Sequence, residues 1–164
     1  DFLGNAADGI SYGLEFESQW QVNDQLQLFG SLGLLRTEIN NYVNANGDVL
    51  DGRDQAHAPE YQFSIGAQYG INNFYGRIEF EGRDAFFFSE GHNGMSESYQ
   101  LWHARVGYNA KQWELALWAR NLGDEDYFVR GFRFGNDPRN FYDPTVYTQL
   151  GEPRVVGVTG KYNF

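Results

Sequence analysis

The chain has 164 residues, a formal net charge of -10 and an aromatic content of 18%, with 20 Gly, 4 Pro and no Cys. The acidic balance argues against sequence-independent binding to nucleic acid, which depends on Lys and Arg neutralising phosphates. No apolar run approaches the roughly 20 residues that a transmembrane helix requires.

Alternation of apolar and polar residues predicts β-strands along most of the chain. From Ile10 to Val22 the even positions are mostly apolar and the odd positions polar, over a length that suits a tilted membrane strand. The mean hydropathy of -0.57 does not exclude such strands, because lipid-facing and lumen-facing residues alternate along them. The seven predicted strands cover residues 10–22, 26–34, 61–69, 74–83, 99–108, 113–121 and 154–164.

Short and long connections alternate between the predicted strands. The short ones are at Asn23-Asp24, Asn72-Asn73 and Ala110-Lys111, and the long ones cover residues 38–59, residues 84–97 and the segment after Asn121. This asymmetry is typical of outer-membrane barrels, whose periplasmic turns are short and extracellular loops long. Aromatic residues adjoin the short turns, as in an interfacial girdle: Trp20, Tyr69, Phe74, Tyr108, Trp113, Tyr162 and Phe164. A soluble β-sandwich or lipocalin-like barrel is the alternative, because alternation alone does not distinguish a protein core from lipid.

Seven antiparallel strands cannot close a bacterial barrel, which has an even number of strands. Asp1 to Gly9 carry neither the positive n-region nor the apolar h-region of a signal peptide. Either one strand has no clear pattern in the sequence, or further strands precede Asp1. We expect the second, with Phe164 ending the closing strand. The predicted fold class is all-β, a segment of an antiparallel transmembrane β-barrel.

Two motifs near the end of the chain resemble those of a known family. Residues 113–127, which contain Asn121-Leu122-Gly123-Asp124 and Tyr127, resemble the penultimate strand and the Asn-Leu-x-Asp-x-x-Tyr motif of TonB-dependent outer-membrane receptors. Gly151-Glu152-Pro153-Arg154 and Phe164 are similar to the start and end of that family's final strand. Ala58-Pro59-Glu60-Tyr61 is similar to the opening of an earlier strand.

The resemblance implies that residues 1–164 supply the last seven strands of a barrel of about 22 strands, without its plug domain and N-terminal strands. It implies uptake of a scarce ligand, with a ferric siderophore preferred, across the outer membrane of a Gram-negative bacterium. The implied partners are TonB through the plug domain, outer-membrane lipid and lipopolysaccharide, and the barrel-assembly machinery. Uptake of vitamin B12, haem or an oligosaccharide remains open. A small structural or adhesive barrel without transport is the alternative of a different class.

The last long loop is the candidate ligand site. Aromatic and arginine side chains concentrated there could hold an anionic, aromatic iron chelate by stacking and charge, or could pack on one another. The candidate residues are Tyr127, Arg130, Phe132, Arg133, Phe134, Arg139 and Tyr142.

The last strand is the candidate assembly signal. The resemblance implies that the assembly machinery recognises its alternate apolar face, which carries Val156, Val158, Tyr162 and Phe164. The match is partial, because Thr159 stands where the stricter signal has Gly. Phe164 could equally serve as a girdle residue.

The remaining polar residues predict neither a metal site nor a catalytic site. His57, His92 and His103 lack ligand spacing, so we expect no metal site, and no catalytic grouping, cofactor motif or enzyme activity is expected. Asn44, Asn46 and Asp48 resemble a calcium loop, but Val49 and Gln55 break the pattern, which we interpret as a solvated turn. Ten charged residues are predicted to line the lumen, contact the plug and pair: Glu15, Glu17, Arg77, Glu79, Glu81, Arg83, Arg105, Glu114, Arg120 and Lys161.

Overall fold

A computed structural model describes residues 8–44, 47 and 49–164 of the chain. This part contains nine β-strands: β1 (Asp8–Gln21), β2 (Leu26–Asn40), β3 (Tyr61–Ile71), β4 (Phe74–Arg83), β5 (Tyr99–Asn109), β6 (Trp113–Arg120), β7 (Phe128–Phe134), β8 (Thr145–Leu150) and β9 (Val155–Tyr162). A single turn of 3-10 helix, Pro138–Asn140, lies between β7 and β8. No helix in the described ranges has the length and hydrophobicity needed to cross a bilayer.

Seven of these strands form one antiparallel sheet in the order β1-β2-β3-β4-β5-β6-β9. Neighbouring strands are also neighbours in sequence, except where β7 and β8 form a separate two-stranded hairpin between β6 and β9. The all-β antiparallel prediction is therefore confirmed. Within the described residues the sheet is open, because β1 and β9 each pair on one side only.

The register brings the apolar residues of all seven strands onto one face. Leu34 of β2 lies opposite both Leu14 and Tyr61, and Leu117 of β6 lies opposite both Val106 and Val158. These side chains have no protein layer over them, since Leu117 is 54% exposed and Val158 is 64% exposed. Apolar surface of this extent requires a covering, as at a lipid or protein interface.

Aromatic rings form two rows on the apolar face. Near the short turns, Tyr108 lies between Phe74 and Trp113, with ring centroids 4.8 and 5.4 Å away. Towards the long loops, Phe80 contacts Phe63 at 5.4 Å and Trp102 at 4.4 Å. Phe74 and Phe80, which mark the two rows on β4, are six positions apart, which corresponds to about 20 Å of extended strand.

The opposite face is polar, and rings on it lie against glycines of neighbouring strands. Each ring leaves no room for a Cβ on the glycine beneath it, and an arginine lies above each ring. The three stacks are Gly66–Phe29–Arg77, Gly107–Tyr75–Arg105 and Gly157–Trp118–Arg120. Two of these arginines also form ion pairs across this face, Arg77 with Glu79 and Arg105 with Glu114, both at 2.9 Å.

The sequence prediction was wrong in two places. Residues 38–40 belong to β2, although a loop was expected from residue 38, because they pair with residues 8–10 of β1. The last long loop was expected to contain no strand, yet it contains the β7–β8 hairpin.

The absent signal-peptide features involve residues 1–7, and the calcium-like pattern involves Asn46 and Asp48, all outside the described residues. Asn44 of that pattern is buried rather than solvated.

Buried apolar side chains gather at the long-loop end. Ile39, Leu50, Phe86 and Phe88 are all at most 9% exposed, and three of them belong to the connections β2–β3 and β4–β5. These connections therefore form a small packed core of their own at the end of the sheet.

Adjacent residues of β2 offer a test of the two faces in the full-length protein in lipid vesicles. Leu32→Arg puts a charge on the apolar face opposite Phe16 and Phe63, and we expect it to lower the free energy of unfolding by about 2–4 kcal/mol. Ser31→Arg puts the same charge opposite Glu17 on the polar face, and we expect a change of less than about 1 kcal/mol. Urea unfolding measures both, and equal losses would contradict the assignment of the faces.

Candidate ligand-binding site

Arg53 ties two of the long connections together. It lies in the β2–β3 connection, and its guanidinium donates to the carbonyls of Ser89 at 2.9 Å and His92 at 2.7 Å, and to the Asn93 side chain at 3.0 Å. The guanidinium also lies 3.8 Å from the centre of the Phe87 ring. Burial lowers the Arg53 pKa, against the opposing effect of Glu90. These contacts hold the β4–β5 connection in place.

The β7–β8 hairpin packs against the same connection through Gly131. This glycine is buried beneath Phe88, which is 5% exposed, and a Cβ at the position would collide with the ring. The hairpin, the β4–β5 connection and the β2–β3 connection therefore meet at one end of the sheet.

A cavity of about 910 Å³ lies where the three segments meet. Residues from each segment line it, including Tyr42, His57, Phe88, His92, Arg130, Phe132, Arg133 and Phe134. This size lies within the range of roughly 300–1,000 Å³ found for small-molecule sites.

The structure brings together four of the seven ligand residues predicted from the sequence. Arg130, Phe132, Arg133 and Phe134 all line the cavity, whereas Tyr127, Arg139 and Tyr142 do not.

The other three predicted residues lie elsewhere in the last long loop. Tyr127 lies at the base of the hairpin, where its ring packs on Tyr99 at a centroid distance of 4.4 Å. Near the hairpin tip, Arg139 pairs with Asp137 at 2.7 Å and holds the pKa of that carboxyl below its usual range. Tyr142, also at the tip, is exposed and has a left-handed backbone with φ 61°.

Arginines without a carboxylate partner concentrate at this end of the sheet. Of the ten arginines, six lie within 4.0 Å of a carboxylate: Arg36, Arg77, Arg105, Arg120, Arg139 and Arg154. In the described ranges the other four, Arg53, Arg83, Arg130 and Arg133, have no such partner, and all lie in or beside the long connections. Two of these four line the cavity, which therefore offers charge to an anion.

His92 is a neutral imidazole between two of these cations. Burial lowers its pKa, and the charges of Arg133 and Arg53 lower the pKa further. Its Nδ1 accepts a hydrogen bond from the Gly94 backbone N–H at 3.0 Å, so the ring carries its proton on Nε2.

The cavity residues outside the hairpin were not predicted from the sequence. Tyr42, His57 and His92 are isolated polar or aromatic residues in turn-rich loops, with no pattern that connects them. The available signal was Phe86-Phe87-Phe88, an aromatic run in an otherwise polar loop. Across the part of the chain that the structure describes, no three His, Cys, Asp or Glu side chains lie close enough together to hold a metal ion.

The comparison with known families now identifies the class of protein. Residues 1–122 match the family model "TonB dependent receptor-like, beta-barrel". This match covers most of the chain, so the chain belongs to the TonB-dependent receptor β-barrel family, as the sequence motifs predicted. Members of the family are outer-membrane transporters and receptors of Gram-negative bacteria.

Solved structures share the fold at low sequence identity. The ferric yersiniabactin uptake receptor FyuA from Yersinia pestis is 17% identical with a TM-score of 0.82, over 98% of this chain and 24% of that chain. The siderophore receptor PiuA from Acinetobacter baumannii is 18% identical with a TM-score of 0.74, over 94% and 22%. The copper transporter OprC is 14% identical with a TM-score of 0.71, over 96% and 24%. This chain thus spans about a quarter of each of these structures.

The lowered pKa of His92 makes the β4–β5 connection sensitive to acid. Neutral His92 contributes stability fully above its ordinary pKa, and this contribution is lost as the pH falls through the lowered folded value. We expect the amides of residues 86–96 to lose protection as the pH falls below about 6.5, the ordinary pKa of histidine. Hydrogen exchange, corrected for the intrinsic rate at each pH, measures this loss.

His92→Asn is the matched control, because an Asn carbonyl can accept the Gly94 hydrogen bond without titrating. The variant should remove most of the pH dependence. An unchanged pH dependence in this variant would show that another group is responsible.

Proposed function

We propose that this chain is part of a receptor in the outer membrane that takes up a ferric siderophore with energy delivered by TonB. The observation that carries the proposal is the cavity at the long-loop end, where Arg130 and Arg133 have no carboxylate partner among the described residues and aromatic rings lie beside them. Such a site suits an anionic chelate with planar aromatic groups, because guanidinium groups attract the charge and rings stack on the ligand.

In this proposal the apolar face meets lipid and lipopolysaccharide, and the cavity opens to the extracellular side. Arg130 and Arg133 bind and orient the anion, while Phe132 and Phe134 stack on it. An anion beside neutral His92 would stabilise the protonated imidazole, so ligand binding would favour proton uptake at Nδ1, the unprotonated nitrogen of this ring.

The polar face would line the lumen and contact the plug domain, through which TonB acts. Support comes from its charges, which are already paired within the sheet at Arg77–Glu79 and Arg105–Glu114. Because carboxylates neutralise Arg77 and Arg105, these two arginines would attract an anionic ligand less strongly than Arg130 and Arg133 at the cavity.

Arginine substitutions in the full-length receptor test the ligand class. We expect Arg130→Gln together with Arg133→Gln to lower uptake of an anionic ferric catecholate at least about tenfold, because two charges that favour the anion are lost. Arg139→Gln is the matched control, since this hairpin arginine is paired with Asp137 and lies outside the cavity. Uptake of radioactive iron by an iron-limited strain that lacks its other iron receptors measures the effect.

Three further probes distinguish the alternatives in the same strain. A neutral ferric hydroxamate should be taken up poorly, and uptake of the catecholate should stop when TonB is deleted. Uptake of haem, vitamin B12 or an oligosaccharide in place of every ferric chelate would contradict the siderophore proposal. Uptake independent of TonB, or none at all, would favour a structural or adhesive barrel.

We also propose that the apolar face of β9 and Phe164 form the signal for barrel assembly. Val156, Val158, Tyr162 and Phe164 are all more than half exposed, so a partner protein can reach them. Deletion of Phe164 should slow the appearance of folded, heat-modifiable receptor in membrane fractions several-fold, because an anchoring aromatic is lost. Asn163→Ala, next to it on the other face, should leave the rate unchanged, and equal rates for both variants would contradict the proposal.

A further inference from the structure

The two motifs that resemble those of the family lie against each other in the structure. Asn121 is 2% exposed and links both: its side-chain amide donates to the carbonyls of Glu125 at 2.8 Å and Glu152 at 3.0 Å. Its Oδ1 accepts from the Glu125 N–H at 2.9 Å. The backbone of Asn121 is left-handed, with φ 47°, a conformation that Asn adopts more readily than most residues. The two bonds to Glu125 close the turn within the first motif, and the bond to Glu152 reaches the second.

Asp124 and Arg154 form the second contact between the motifs. The carboxylate of Asp124 accepts from the Arg154 backbone N–H at 2.9 Å and lies 3.3 Å from its guanidinium. The first of these bonds fixes the backbone just before β9 begins at Val155.

Tyr127 forms the third contact. Its hydroxyl accepts from the Glu152 N–H at 3.2 Å, and its carbonyl accepts from the Gly151 N–H at 2.8 Å. The ring lies over Gly151, where a Cβ would collide with it, and packs on Tyr99 from the other side.

We propose that these residues form a latch that positions the β7–β8 hairpin over the ligand cavity. The latch consists of Asn121, Asp124, Tyr127, Gly151, Glu152 and Arg154. β7 begins directly after Tyr127 and β8 ends directly before Gly151, so both strands of the hairpin leave the barrel through the latch. This inference rests on the proposed function, since Arg130 and Arg133 are the ligand residues that the hairpin carries.

The latch also contacts the polar face of the sheet. The Asn121 N–H donates to Nδ1 of His103 at 3.3 Å, and Nε2 of the same ring lies 3.4 Å from Glu81. The placement of the hairpin is therefore set from two sides, by the start of β9 and by the lumen wall. Asn121, Asp124 and Tyr127 are positioning residues, because they lie outside the cavity and act through the hairpin.

Asn121→Asp in the full-length receptor tests the latch. The substitution keeps the shape but replaces the amide donor with an acceptor that faces the carbonyls of Glu125 and Glu152. We expect the amides of β7 and β8 to exchange about tenfold faster, while those of β3 to β5 are unchanged. Leu122→Ala is the matched control, because Leu122 is next in sequence, exposed, and outside the latch.

Tyr127 supplies a second pair of variants. Tyr127→Phe keeps the ring over Gly151 and should behave nearly as the unmodified receptor, whereas Tyr127→Ala removes the packing and should resemble Asn121→Asp. A ferric catecholate serves as the uptake probe, and its half-saturating concentration should rise about tenfold in the two disruptive variants at equal amounts of folded surface receptor.

The outcomes separate the latch from the proposed function. Unchanged exchange of the hairpin amides in Asn121→Asp, or faster exchange with an unchanged half-saturating concentration, would overturn the latch as a positioning device. If the unmodified receptor takes up no ferric chelate, the proposed function fails, and hydrogen exchange still decides whether the latch holds the hairpin. Loss of folded receptor in Leu122→Ala as well as in Asn121→Asp would assign the segment to barrel stability and overturn the proposal.

Discussion

The unbroken antiparallel register of seven strands is the feature on which the rest of the structure depends. The inner strands β2 to β6 each pair their backbone N–H and C=O groups with a neighbour on both sides, which a lipid environment demands because it offers no alternative partner. A slip of one residue would move every side chain to the other face. The register therefore fixes at once an apolar face with aromatic rows and a polar face with paired charges.

The same register places all the long connections at one end of the sheet. There, contacts between loops replace the pairing of strands. Along the sheet, arginines such as Arg77 and Arg105 are paired with carboxylates, whereas Arg130 and Arg133 at the loop end are not. Carboxylates thus neutralise Arg77 and Arg105 on the polar face, whereas within the described residues the two arginines beside the cavity have no carboxylate partner. Contacts over long sequence distances, such as Arg53 with the carbonyl of His92, build this end of the molecule.

The sequence predicted the strands of the sheet well because each has one face toward apolar surroundings and one toward polar surroundings. Period-two alternation is the direct consequence of that environment. The β7–β8 hairpin is not part of the seven-stranded sheet, so this two-faced environment does not impose alternation on residues 145–150. Part of the candidate site was predictable, since Arg130 and Arg133 stand out in composition. Tyr42 and His92 were not, because only the folding of separate loops onto one another brings them together.

The most direct measurement of the two-faced sheet is a cysteine scan along β5 in the full-length receptor in lipid bilayers. This chain has no cysteine of its own that a label would also modify. Nitroxide labels at residues 101–108 report their collisions with dissolved oxygen, which concentrates in lipid, and with a water-soluble nickel complex. Labels at Ala104 and Val106 should favour oxygen, and labels at His103 and Arg105 should not, with a period of two along the strand. Equal accessibility on both faces, or nickel contact at Ala104 and Val106, would contradict a membrane-spanning sheet.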